Sequence, residues 1–259
     1  MTTSNPPVTL DLTPAPGAAP RMARWWAQSR LEWRQLMTNG EQLLLTLIIP
    51  IAVLIGVTRL GLAEIDEATP GVMALAILST AFTATAISTG FERRSGVLKF
   101  LGATPLGRSG LLVGKTTATF AVIVVQLALI SAVALALGWS PQVDQPVLLV
   151  ATVVLGTVSL GSWGFALAGL LRAEATLAVA NGIFLLLLFA GGTVLPSHRL
   201  PGPLGDVVQL LPSAALGDAL RAQLGAPISG SGLGVGPMLV LAVWAVGGIA
   251  LSIRTFRWE

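Results

Sequence analysis

The sequence predicts an all-α membrane protein: six membrane-spanning helices, an amphipathic helix ahead of them, and short helices in two of the connections. Three observations carry this. Hydrophobic residues make up 54% of the 259 positions and charged residues only 10%, far below the roughly 25% charged of soluble domains. Six apolar runs approach or exceed the roughly 20 residues of helix that cross a bilayer core. The basic residues flank those runs instead of gathering in one patch, which is the pattern of cytoplasmic membrane loops. That distribution also argues against a nucleic-acid partner, despite a formal net charge of +3. With no cysteine, disulfides, thiolate chemistry and Cys-ligated metals are excluded.

Taken in order, residues 1–20 are rich in Pro, Thr and Ala, with neither a positive start nor an apolar core. They read as a disordered cytoplasmic tail and not as a signal peptide. In the pre-span helix expected over 22–38, Met22, Trp25, Trp26, Ser29, Trp33, Leu36 and Met37, with Gly40 beyond it, recur at helical spacing, while Arg24, Gln28, Glu32 and Gln35 take much of the other side. Trp on one face and Arg on the other suit a helix lying in the headgroup plane; packing on protein instead of lipid is the alternative. The spans fall at about 42–62, 70–91, 111–138, 146–171, 175–196 and 233–253, by hydropathy and length. Pro50 is expected to kink the first.

Orientation follows from Lys and Arg. Twelve (Arg21, Arg24, Arg30, Arg34, Arg93, Arg94, Lys99, Arg108, Lys115, Arg172, Arg254, Arg257) fall on one side and three (Arg59, Arg199, Arg221) on the other. Both termini are therefore expected in the cytoplasm, and the excess of Arg over Lys with abundant Ala, Gly and Leu suits a bacterial plasma (inner) membrane. The external side then has an acidic loop at Glu64-Ile65-Asp66-Glu67, a short one from Ser140 to Gln145, and a long connection over 196–232. That connection is too apolar for a solvated loop, and Pro212 divides it into two short helices that dip into the outer leaflet or cap the bundle.

Several chemistries fail on spacing. Gly110-Leu111-Leu112-Val113-Gly114-Lys115-Thr116 resembles a phosphate-binding loop, but that loop needs four residues between its first glycine and the Gly-Lys pair; here there are three. Lys115 reads more simply as a positive-inside anchor. The single histidine, His198, lies outside the spans, so neither Ser162 nor Ser213 has an evident base, and no His–carboxylate cluster indicates a metal. Secondary carriers hold ionisable groups inside the membrane. Here the spans offer mainly Gln126, Asn181 and hydroxyls such as Thr80, Thr83, Thr85, Ser88 and Thr89. Helix–helix hydrogen bonding is favoured for these, with Thr85, Gln126 and Asn181 kept as candidate pathway residues.

The segment over 92–110 remains. Glu92, Arg93 and Arg94 stand at the end of the second run, Val97, Leu98 and Leu101 form an apolar face, and Gly102 and Pro105 stop a short helix. The whole layout resembles the membrane subunit of a type-2 ABC exporter. The matching pieces are the amphipathic helix, the six spans, Glu92-Arg93-Arg94-Ser95-Gly96…Leu101…Thr104-Pro105-Leu106 leading into Gly114-Lys115, and Leu195-Pro196…Leu200-Pro201…Leu211-Pro212…Leu220-Arg221 before the last span. Within that family it is most similar to small permeases of the antibiotic-resistance type.

The resemblance implies a function. Glu92, Arg93, Arg94, Gly96, Leu98, Lys99, Leu101 and Pro105 would form a coupling helix docked on a separate ABC ATPase subunit, and charge reversal at Glu92, Arg93 and Arg94 is expected to abolish transport while leaving folding intact. Trp25, Trp26, Arg30, Trp33 and Arg34 would anchor the interfacial helix, and Pro196, Pro201, Pro212 and Arg221 would shape an external gate. The first, second and fifth spans would line the exit path. The chain would bind no cofactor itself, with ATP and Mg in the partner ATPase, and would pair as a homodimer or with a related permease in the bilayer. A secondary carrier or channel, a membrane scaffold and a haem-exporting permease of cytochrome maturation are the alternatives.

Overall fold

The computed structural model describes residues 17–38, 40–190, 203–225 and 234–255. Pro196, His198 and Pro201, and most of the expected tail, lie outside the described residues. Among those described, every regular element is helical. Four helices are long and apolar enough to cross a membrane: Ile65–Arg94, Gly107–Ala136, Pro146–Leu170 and Val235–Thr255. The stretches expected as first and fifth spans contain shorter apolar helices, Thr46–Arg59 and Ala173–Phe189.

Helix α1 (Arg21–Thr38) precedes α2 (Gly40–Arg59), which continues through Pro50. The second span is one helix in three parts: α3 (Ile65–Ile77), a π-helical stretch (Leu78–Ala84) and α4 (Thr85–Arg94). It begins five residues earlier than the 70 expected, so the acidic loop is a correction: Asp66 and Glu67 occupy the first turn of α3. Carboxylates there complement the positive end of the helix dipole. Asp66 Oδ1 also accepts the Ser140 N–H at 3.2 Å, tying the first and second connections together.

The short helix α5 (Val97–Gly102) ends at Gly102, as its stop signal predicts, and α6 (Gly107–Ala136), α7 (Pro146–Leu170) and α8 (Ala173–Ala190) follow. In the long connection lie α9 (Pro203–Val208) and α10 (Pro212–Gln223), with Pro212 in the first turn of α10 as a proline prefers. Helix α11 (Val235–Thr255) closes the bundle.

The second span is the most enclosed of the four, and small residues explain how its neighbours approach. A Cβ on Gly164 of α7 would stand 2.8 Å from the Phe82 carbonyl oxygen, and one on Gly161 3.6 Å from that of Ala81. Helix α7 thus lies directly on the widened turn of the π-helical stretch, the close approach that small residues allow inside membranes. Helix α10 is wedged among α3, α7 and α11. Leu216 fills the notch at Gly156, Gln223 Nε2 donates to Thr152 Oγ1 at 2.8 Å, and Arg221, 1% exposed, pairs with Asp218 at 3.1 Å.

Candidate functional site

The functional candidates gather at the end of the bundle that carries α5. Glu92, Arg93 and Arg94 are consecutive in the last turn of α4, so their side chains leave the helix about 100° apart. Each finds a different neighbour. Glu92 turns inward to Lys115 of α6, whose Nζ lies 2.6 Å from Glu92 Oε2 and 2.8 Å from Oε1. Arg93 reaches the end of α7, donating to the Gly169 carbonyl at 3.1 Å and to that of Leu171. These carbonyls lack helical partners and carry the negative end of the dipole, so a guanidinium suits them. Arg94 pairs with Glu174 in the first turn of α8. That pair is well exposed and contributes little to stability.

Lys115 has a second partner. Glu32 of α1 lies 2.9 Å from its Nζ, and Gln28 Nε2 donates to the other Glu32 oxygen at 2.7 Å. The three charged side chains are only 5% (Lys115), 9% (Glu32) and 11% (Glu92) exposed. One buried ammonium thus joins α1, the end of the second span and the start of α6. Removing it would leave two carboxylates unpaired, a strongly unfavourable state away from water. This corrects two expectations. Lys115 is not a solvated positive-inside anchor, and charge reversal at Glu92 and Arg93 would damage packing as well as any docking.

The face of α1 is corrected too. Gln28 and Glu32, expected on the polar side, are buried together with Ser29 of the Trp-bearing stripe, and α1 packs chiefly along α6. Two glycines make room. A Cβ on Gly114 would stand 2.6 Å from Gln28 Cγ, and one on Gly110 3.0 Å from the Trp25 ring. The sequence that resembled a phosphate loop is therefore a helix-crossing notch, Gly110 and Gly114 one turn apart on the same face. Trp25 and Trp33 are half-buried, while Trp26, Arg30 and Arg34 are exposed.

Helix α5 hangs from this assembly. Gly96, at φ +80°, takes the left-handed conformation that ends α4 and starts α5. Leu98, 1% exposed, packs with Leu101 and Leu111, whereas Phe100 is 75% exposed beside exposed Val97 and Lys99. Leu98 thus anchors the helix and Phe100 presents it, a residue the sequence reading had not singled out. Pro105 is exposed in the turn that follows. Between α1 and α5 runs a cleft of about 350 Å³ lined by Gln28, Glu32, Glu92, Gly96 and Phe100 among others. A longer groove of about 810 Å³ continues along the second span past Ser79, Thr83 and Ser88, bordered by Thr46 and Leu177.

The three candidate pathway residues separate. Thr85 is buried, with its hydroxyl bonded to the Thr80 carbonyl at 3.2 Å, and borders a small cavity of about 30 Å³ shared with Glu32 and Lys115, enough for one or two waters. Gln126 is consumed by a bridge: Thr80 Oγ1 donates to its Oε1 at 3.0 Å and its Nε2 donates to the Thr46 carbonyl at 3.0 Å. Its amide holds three helices together and does not line the groove. Asn181 is exposed on α8 and is not among the residues that line the groove.

Among the described residues, no group of three or more His, Cys, Asp or Glu is placed to hold a metal ion. The arrangement comprises an exposed apolar tip, a buried charge cluster near it, and a hydroxyl-bearing groove. In comparison with known proteins, the family model described as ABC-2 type transporter matches residues 23–224. No curated protein matches the chain.

Proposed function

The chain belongs to the ABC-2 type transporter family, multi-pass membrane permeases that work with an ABC ATPase subunit, and from that premise we propose that it is the permease subunit of an exporter in a bacterial plasma (inner) membrane. Both termini face the cytoplasm, following the twelve-to-three distribution of Lys and Arg. ATP and Mg are held by the partner ATPase, and this chain binds no cofactor. Two permease halves, identical or related, enclose the path. The substrate is hydrophobic or amphipathic: a drug, an antibiotic, a lipid or a lipid-linked glycan. The groove past Thr83 and Ser88 is largely apolar with scattered hydroxyls and has Glu32 and Glu92 among its lining, which supports an amphipathic member of that class. The residues over 196–232, with Pro212 and the buried Arg221 of α10, form the external gate.

One observation carries the reading: the carboxylates of the Glu32–Lys115–Glu92 cluster line the cleft that α5 borders through Val97, Phe100 and Leu101. A push on Phe100 passes through the Gly96 turn into the second span and through the Leu98–Leu111 contact into α6. Both helices and α1 are joined at Lys115, so all three move as one body. A closing motion of the ATPase subunits is thereby delivered to the wall of the groove.

The test is to purify the chain in mild detergent with the ATPase subunits encoded beside its gene, and to measure co-purification and ATP hydrolysis. The expected result is a stable complex that hydrolyses ATP and is weakened by Phe100→Glu. A well-folded chain that ignores every such ATPase would sink the proposal. The buried charge cluster also gives a secondary carrier its one point of support, since intramembrane ionisable groups mark ion-coupled transport. Flux into vesicles driven by a proton or sodium gradient, without any ATPase, is the result that would favour that second reading.

A further inference from the structure

A second groove, of about 730 Å³, lies on another side of the bundle between α6, α7 and α11. It runs from Arg108 and Ser109 at the start of α6 toward Ser162 of α7, over a largely apolar floor that includes Val113 and Phe165. Helix α11 crosses α7 closely beside it, with Gly248 against Ser162 and Trp163. All three walls are helices long and apolar enough to span the membrane, so the groove opens onto lipid.

Its polar groups have one sign and one location. Arg108 is the single charged residue of the lining, which contains no carboxylate. The Thr117, Ser162 and Ser252 hydroxyls are bonded to carbonyls of their own helices. Arg108, Ser109 and Thr116 make no hydrogen bond or ion pair with the described residues, and all three stand in the first three turns of α6. An apolar trough with unpartnered donors and one guanidinium at its mouth is complementary to a molecule with an apolar tail and an anionic, acceptor-rich head. A guanidinium at the membrane surface favours anionic over zwitterionic lipid.

We propose that this groove is a binding site for an anionic glycerophospholipid, with its phosphate at Arg108, its glycerol-ester oxygens at Ser109 and Thr116, and an acyl chain along the trough. The lipid sits outside the groove beneath α5 and the second span, so it is a resident of the outer wall and not the cargo. The site rests only on the chain spanning a membrane; the exporter reading adds which leaflet the head occupies.

The test is native mass spectrometry of the full chain released from mild detergent, titrated with phosphatidylglycerol and phosphatidylcholine of matched acyl chains. The expected result is a first-bound lipid that is phosphatidylglycerol, preferred about fivefold, the discrimination one basic residue gives near an anionic head. Arg108→Gln should erase the preference while some binding of both lipids remains. Val113→Trp, or Thr117→Trp if the first misfolds, should fill the trough and remove the retained lipid of either kind. Arg254→Gln, at the same end of the bundle but outside the lining, should leave the preference intact. Equal retention of the two lipids by the unaltered chain overturns the proposal, as does loss of preference in Arg254→Gln to the same extent as in Arg108→Gln. No ATPase enters the measurement, so failure of the exporter reading and failure of this site are told apart.

Discussion

The Lys115 ammonium and the Glu32 carboxylate, 83 positions apart in the chain, meet at 2.9 Å beneath the protein surface and fasten α1 to α6. Glu92 completes the cluster from the second span. Lys115→Met should therefore cost about 3–5 kcal/mol, because it strands two carboxylates that are only 9% and 11% exposed. Thermal unfolding in detergent reads this directly. The triple variant Lys115→Met, Glu32→Gln, Glu92→Gln should recover most of the loss, since removing all three charges leaves no orphan. If the single and triple variants melt together, the cluster is not paired as described.

Phe100 and Leu98 lie two residues apart on α5 and should respond in opposite ways. Phe100→Glu alters an exposed side chain and should leave the melting temperature within the small range of ordinary surface changes, about 0.5 kcal/mol. If α5 docks on the ATPase, affinity for that partner should fall about 30-fold or more, as for an aromatic anchor removed from an interface. Leu98→Ala empties a buried site against Leu111 and should cost about 2–5 kcal/mol of stability. Pull-down of the ATPase, measured beside thermal unfolding, separates the two. A Phe100→Glu chain that still binds its ATPase normally would refute the contact assigned to Phe100.

The sequence already disclosed much of this architecture. Hydropathy located the apolar helices, Gly102 ended α5, and Pro212 opened α10, because each is a local signal: a run, a stop or a fixed φ. The preference for helix–helix bonding at Gln126 also agrees with its contacts. What was hidden is the pairing between distant segments. Glu32 and Gln28 look like the wet side of an amphipathic helix until α6 brings Lys115 against them. Gly110 and Gly114 have no meaning on their own, and only the Trp25 and Gln28 side chains lying over them identify the notch. The π-helical stretch lies against Gly161 and Gly164 and leaves no periodicity to read.

Helix α1 depends on that notch. Gly114→Leu should lift it from α6, since even a Cβ at this position falls 2.6 Å from Gln28 Cγ. The chain has no cysteine, so a single Ser29→Cys reports cleanly. In the parent the thiol should be shielded, because Ser29 is buried against α6. With Gly114→Leu added, maleimide labelling should become rapid. Unchanged labelling would mean that α1 is held elsewhere.

Gln126 gives a sharper test of structure against transport. Its amide spans Thr80 of the π-helical stretch and the Thr46 carbonyl of α2, so Gln126→Leu removes two hydrogen bonds and should cost about 1–2 kcal/mol, near the upper end for polar contacts inside membranes. Because the side chain is buried and does not line the groove, substrate preference should not change. A residue that touched cargo would alter the ranking of substrates while leaving the melting temperature nearly fixed. Comparing export of several amphipathic compounds by Gln126→Leu and by Ser88→Ala, a residue that lines the groove, sets the two roles side by side. The first should lower stability with the ranking preserved, and the second should shift the ranking with stability preserved. The reverse pattern would move Gln126 from the scaffold to the path.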